Sequence, residues 1–395
     1  MSATAYDVAI VGAGPGGAAA AVALGQLGVS SVALLDREGF PRDKTCGSGL
    51  SPNSLKLIDQ LGLGAQVRAL GFPINSVRLV TPGGREMIIR SDAAAIVLLR
   101  RHFDHLLVER ATSLGVSLRT PFRAQALIEE GGRVVGVRSL DGQEVRARLV
   151  LCADGAHSIF STDDRPRRSI ATLMGWWDQV EVEPGRLEMI FDRRLAPLYG
   201  WLFPEGSGRV NIGICVDGQD RRGAKAQHDL RGLFRAFLDD HFAKALAGAT
   251  QVGPWKGHPI VHTTWIGNIT SPGALRLGEA ARVTHHATGE GISQAMESGI
   301  FAAQAAARVL QGRQSEAASW AEYVRQHRRR FTAGFLAGHA LRAAVASPLL
   351  ERMADAYNSP LVRRAVVKLL GSALAGSQVS EQRGAAEAPP ATDDS

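Results

Sequence analysis

The chain opens with an apolar run, Tyr6–Val11, that stops at Gly12 and gives way to an alanine-rich stretch, Ala18–Leu27. A second apolar run, Ser31–Leu35, ends at Asp36. Short apolar runs bounded by glycine read as buried strands, so the pattern predicts strand, turn, helix, strand, a βαβ unit of about thirty residues. Val8–Leu35 is uncharged and long enough to span a bilayer. Yet Gly12, Gly14, Pro15, Gly16 and Gly17 interrupt it, and no positive stretch precedes it, which argues against a membrane span and a signal peptide.

Further along, the spacing predicts helices over Ser51–Leu61 and Arg100–Leu114, and a hairpin over Val77–Arg90 around Pro82-Gly83-Gly84. Ala124–Glu129, Val134–Leu140 and Val145–Cys152 read as a β-meander. From Ser169 to His262 the runs become aromatic and alternating, broken by one helix near Gln227–Leu246. Ala274–Gly278 returns to strand character, and Gly291–Leu310 is a long alanine-rich helix. The expected fold is α/β, with a Rossmann-like cofactor domain (1–75, 100–165, 265–325) and a discontinuous β-rich substrate domain (76–99, 166–264). A C-terminal helical region (326–375) and a disordered tail (376–395) complete it.

Composition narrows this little. The 395 residues are 45% hydrophobic and 21% charged, as in soluble globular proteins. Cysteines 46, 152 and 215 form no CxxC pair, so neither a disulfide framework nor a zinc site is expected, and a cytoplasmic location fits. The net charge of +7 is concentrated between Arg325 and Ala375, with nine Lys/Arg against two Asp/Glu. No nucleic-acid module accompanies it. That excess suits a solvated helix face or a peripheral contact with the inner membrane face.

Gly12-Ala-Gly14-Pro-Gly-Gly17 is a GxGxxG fingerprint in its full strand–turn–helix context. Its first glycine makes the tight turn and its second admits a pyrophosphate. The third allows close helix–strand packing, and the helix amides hold the phosphates. Asp36, at the end of the next strand, is placed to accept ribose hydroxyls. No HExxH or GxSxG motif is present, so no metal or triad chemistry is expected.

Later motifs carry a resemblance. Cys152-Ala-Asp154-Gly155, Leu277-Gly278-Glu279-Ala-Ala281, and Gly289-Glu-Gly291-Ile292 opening a helix are similar to the flavoprotein superfamily with the p-hydroxybenzoate hydroxylase fold. Arg100-Arg-His-Phe103-Asp104 matches its RxxFD helix start. Pro41-Arg-Asp-Lys44-Thr-Cys46-Gly47-Ser-Gly49-Leu50 and Tyr199-Gly-Trp201-Leu-Phe203-Pro204 resemble the KxCGxGL and YxWxFP motifs of its geranylgeranyl reductase-like group.

The resemblance implies FAD, held by the fingerprint glycines with Pro15, by Asp36, Arg37, Lys44, Cys46, Gly47 and Arg100, and by Asp154, Gly155, Gly278, Glu279, Gly289, Gly291 and Ile292. No second complete nucleotide fingerprint appears, so NAD(P)H or another reductant is expected as a transient donor. Cys46 is either beside the flavin or a packed small hydrophobe. Tyr199 and Trp201 alternate on a strand, lining a substrate tunnel or filling a core. These three are the catalytic candidates, and no metal is assigned.

The expected activity is reduction of C=C bonds in an isoprenoid-type or other apolar substrate. Alternatives are a monooxygenase or halogenase on this fold, and a membrane-associated flavoprotein passing electrons to quinone. An electron-donor protein and a peripheral membrane contact are further candidate partners. The motif departs from the family's GDAAG at Glu279 and Arg282, and Thr284-His285-His286 replaces a proline-containing segment. Arg282, His285 and His286 read as facing solvent, with flavin tuning or binding of an acidic group as alternatives.

Overall fold

The computed structural model describes residues 5–158, 160, 168–218 and 229–375. The tail expected to be disordered lies outside the described residues. Strand Ala5–Val11 pairs in parallel with Val32–Leu35 on one side and Glu144–Cys152 on the other. Ser117–Arg119 and Ala274–Arg276 extend the sheet at either end, also in parallel. Parallel neighbours need crossover connections, and helices cover such sheets. Helix Pro15–Gln26 is one of them, and every residue from Pro15 to Leu24 is buried. Small side chains suit that position, because the helix packs against Ile292–Leu310 and Arg100–Ser113 as well as the sheet. The meander is present as Ala124–Glu130, Arg133–Ser139 and Glu144–Cys152, and its last strand is itself a member of the parallel sheet.

The second sheet draws strands from Gly49–Leu50, Phe72–Val80 and Glu86–Val97 and from several segments between Arg168 and His262. Its pairs are antiparallel apart from Phe72–Val80 with Arg186–Ile190. Alternation along each strand sorts its side chains to two faces. Leu173, Trp177, Leu202, Ile212 and Ile214 pack outward under helix Leu230–Leu246, against Phe234, Phe237 and Phe242. Met174, Met189, Tyr199, Trp201 and Cys215 pack inward. Trp176 and Trp177 therefore serve opposite faces, as adjacent strand residues must. That helix starts with Asp229, whose side chain accepts the Gly232 amide.

Helix Glu316–Val345 runs unbroken through position 325, where the sequence reading ends the cofactor domain. It buries Trp320, Tyr323, Phe331 and Phe335 in the core between the parallel sheet and its helices. Its far end contributes Leu341 and Val345 to the inward core of the second sheet, together with Leu350 and Val366. The C-terminal apolar pattern is thus largely used in capping the fold. Leu336, Leu349 and Leu361 remain exposed, at 65%, 51% and 75%. Among the described residues no single helix is long and apolar enough to cross a membrane.

Candidate active site

A cavity of about 610 Å³ lies between the carboxyl ends of the parallel strands and the inward face of the second sheet. Open α/β sheets place ligands at those strand ends. Every residue named above as a cofactor or catalytic candidate borders it except Gly17, which packs against the backbone of Gly12.

Gly12 has φ of +97°, and a Cβ there would lie 2.4 Å from the Ala153 carbonyl oxygen, so only glycine makes this turn. A Cβ on Gly14 would meet nothing nearer than the Arg42 guanidinium at 4.0 Å. That open volume in front of first-turn amides, which lack intrahelical partners, fits a pyrophosphate. Asp36 is already oriented: Oδ2 accepts the Ala13 amide at 2.8 Å and Oδ1 the Glu38 amide at 3.0 Å. Arg37 stands at the solvent rim, paired with Glu38. Arg100 forms a fork–fork pair with fully buried Asp104, at 2.7 and 2.8 Å, which also receives Arg42 at 3.2 Å. Arg42 reaches Asp36 as well, at 3.7 Å.

Deeper in, Lys44 Nζ lies 2.6 Å from His258 Nε2. Burial, and then the Lys44 charge, hold the imidazole at about 4, so a neutral ring accepts from the ammonium. Burial and nearby Arg100 lower the Lys44 pKa in turn. The Cys46 sulfur receives the Ser48 amide at 3.3 Å and lies within the field of the Arg100 guanidinium. Glu279 accepts the Val261 amide at 2.8 Å, and burial raises its pKa. The turn carrying Gly278 and Glu279 is tied into the core by a directed chain. The Gly278 amide donates to Ser298 Oγ at 3.1 Å, which donates to His327 Nε2 at 2.8 Å, and His327 Nδ1 donates to the Tyr323 carbonyl. Gly155 begins a short 3₁₀ turn after Asp154, and Gly289 and Gly291 precede helix Ile292–Leu310.

The remaining wall is apolar. Tyr199 and Trp201 face the same side, with ring centroids 6.4 Å apart, and Trp201 continues to Phe203 at 6.1 Å. Gly213, opposite Trp201 on the next strand, leaves room for the indole; a Cβ there would sit 2.3 Å from it. Trp201 Nε1 donates to buried Asn211 at 2.7 Å, and the Tyr199 hydroxyl donates to the Thr288 carbonyl. Burial pushes that phenol well above its ordinary pKa, so it keeps its proton. Cys215 is buried and also borders the cavity.

The solvent-facing reading of Arg282, His285 and His286 is overturned: they are 6%, 3% and 2% exposed. Helix Glu316–Val345 covers the two imidazoles, a tertiary contact with no local sequence signature. Arg282 takes the left-handed cap of its turn (φ +60°). His285 Nε2 donates to the Gly334 carbonyl of the covering helix, while Nδ1 accepts from Thr288. His286 stacks on His285 and meets the tilted ring of His339 on another side. Sequence reasoning also missed Arg42, His258, Asn211 and Glu290. Arg42 and Glu290 sit inside motifs already quoted, whereas His258 and Asn211 carry no local signal.

The FAD binding domain family matches residues 5–185. Digeranylgeranylglycerophospholipid reductase 2 of Methanopyrus kandleri is 30% identical over 381 residues, covering 92% of each chain. The digeranylgeranylglycerophospholipid reductase of Thermoplasma acidophilum is 26% identical, over 94% of this chain and 96% of its own. Among solved structures, a geranylgeranyl bacteriochlorophyll reductase-like protein from Thermoplasma acidophilum superposes with a TM-score of 0.79 at 23% identity, over 93% and 96% of the two chains. A flavin-dependent brominase gives 0.77 at 22%, over 94% of each. At those identities the structural likenesses establish the fold.

Proposed function

Because the chain belongs to the geranylgeranyl reductase-like family of FAD-dependent oxidoreductases, we propose that it reduces carbon–carbon double bonds of an isoprenoid-type substrate. One observation carries the reading. The wall formed by Met174, Met189, Tyr199, Trp201 and Phe203 borders the cavity, and the Tyr199 and Trp201 polar atoms are engaged elsewhere. The wall presents hydrocarbon, and a hydrocarbon chain gains about 25 cal/mol per Å² of apolar surface it buries there.

Bound FAD would supply hydride to one alkene carbon, from reducing equivalents delivered by NAD(P)H or another reductant. The protein's contribution is orientation and exclusion of water. The fingerprint amides and Asp36 would hold the adenosine diphosphate half, and Lys44, Glu279 and the start of helix Ile292–Leu310 the flavin half. Cys46, its sulfur oriented by the Ser48 amide, would face the second carbon and relay the proton to it. Trp201, fixed by Asn211 and Gly213, would press the alkene toward the flavin.

The test is anaerobic: reduced protein mixed with a polyprenyl substrate should be reoxidised, and the product should gain two hydrogens by mass. Product formed only with oxygen, carrying an added oxygen or halogen atom, defeats the proposal in favour of the monooxygenase alternative. Reoxidation by quinone with the alkene intact favours the third reading.

Peripheral membrane contact is part of the same proposal. Exposed Leu336, Leu349 and Leu361 accompany exposed Arg325, Arg328, Arg329, Arg363 and Arg364 on the C-terminal helices, a composition suited to an anionic bilayer surface. Flotation with anionic liposomes should weaken as salt rises; flotation indifferent to lipid charge at low salt removes this element.

A further inference from the structure

Glu290 borders the cavity immediately before helix Ile292–Leu310, and the mechanism above gives it no task. Its carboxylate is held by three side chains: Oε1 accepts the hydroxyls of Ser51 at 2.5 Å and Ser293 at 2.6 Å, and Oε2 accepts Gln294 Nε2 at 3.2 Å. Three donors on one carboxylate favour its charged form, against the burial that raises its pKa. Arg330, the cation whose field reaches it, is already paired with Glu297 at 2.6 Å.

FAD makes two demands for positive potential, one at its pyrophosphate and one at the pyrimidine side of the isoalloxazine, which becomes anionic on reduction. The fingerprint helix meets the first. The start of helix Ile292–Leu310 is a second helix N-terminus bordering the same cavity, next to the apolar wall. It carries about half a positive charge. The Glu290 carboxylate, fixed two residues before Ile292 by Ser51, Ser293 and Gln294, carries charge of the opposite sign in its ionised form and opposes that positive end.

We infer that Glu290 is a charge-setting residue that lowers the reduction potential of the bound flavin, making it a stronger hydride donor. Uptake of two electrons and one proton from the donor leaves bound FAD one unit more negative, and a carboxylate nearby opposes that gain. An isolated alkene is a poor hydride acceptor, so a strongly reducing flavin suits the proposed reaction. The inference rests on FAD binding rather than on the identity of the substrate, and its test uses no substrate, so the two can fail separately.

The experiment is reduction of FAD-loaded protein against a reference dye at pH 8, without substrate. Glu290→Gln should shift the dye equilibrium at least tenfold toward reduced flavin, which is about 30 mV for a two-electron couple. Glu290→Asp, which keeps the charge, should stay near the wild type. A role limited to holding the helix start would change thermal stability and leave the potential in place. A Gln variant that retains FAD with an unshifted potential overturns the inference. Should that variant not hold FAD, the unaltered protein decides: its potential should lie below that of free FAD, and a value above it overturns the inference equally.

Discussion

Acidification should unfold this protein far earlier than its carboxylates alone would require. His258, His285 and His327 are held at about 4, His262 at about 3 and His286 at about 2, in each case first by burial. Their ordinary value is 6.5. The folded pKa values are depressed, so the unfolded chain takes up these protons first as pH falls. The associated stability is complete above pH 6.5 and is lost between there and the folded values. Each proton is worth about 1.4 kcal/mol per pH unit, so at pH 5 each histidine costs about 2 kcal/mol. Five of them approach about 10 kcal/mol, the size of a typical folding free energy. Glu205, Glu279 and Glu290 work in the other direction, because burial raises their pKa values and the folded state then binds their protons more readily. The net loss is accordingly smaller than the histidine sum. Urea unfolding at constant excess FAD, from pH 7 to pH 5, reads the proton number from the slope of stability against pH. We expect about two to five protons taken up on unfolding near pH 5.5. His327→Gln, whose amide can accept from Ser298 and donate to the Tyr323 carbonyl, should reduce that slope by about one. Stability that is flat across the interval would refute the reasoning.

Three further outcomes are expected. Gly14→Val should fold, because φ there is −72° and its surroundings are open, but the purified protein should lack the FAD that acid precipitation releases from the parent. Trp201→Ala should keep its FAD while anaerobic reoxidation by a polyprenyl substrate slows. Its unfolding free energy should fall by about 3–5 kcal/mol, as for other buried aromatics. Asp104→Asn removes the charge shared by Arg100 and Arg42 and should cost about 3–5 kcal/mol in urea unfolding, as breaking a buried ion pair does.

What could be read from the sequence was whatever a contiguous segment encodes. The βαβ unit, the meander and the helix starting near Gly291 follow from period and punctuation, and the apolar/aromatic alternation before Asp217 identifies a two-faced strand. What could not be read depends on segments distant in the chain. His258 meets Lys44 across more than two hundred residues, and Asn211 is defined by an indole on the neighbouring strand. The misreading of Arg282, His285 and His286 has the same origin: a polar run reads as solvated unless a remote helix covers it, and here Gly334 and Gly338 bring that helix close over the imidazoles. Glu290 was visible but mute, since its letter sits between two informative glycines and its partners Ser51 and Ser293 come from different helices.

The two-faced second sheet has a consequence for how this protein can change. Along Arg209–Asp217, Val210, Ile212, Ile214 and Val216 anchor one layer, while Asn211, Gly213 and Cys215 shape the other. The same division holds for Leu202 against Trp201 and Phe203. Mutations at alternate codons therefore weigh differently: one set acts on persistence of the fold alone, and the next acts on which molecules fit as well as on stability. A lineage, or a laboratory library confined to Met174, Met189, Trp201, Phe203 and Cys215, could explore new ligands while the helix-covered layer stays untouched.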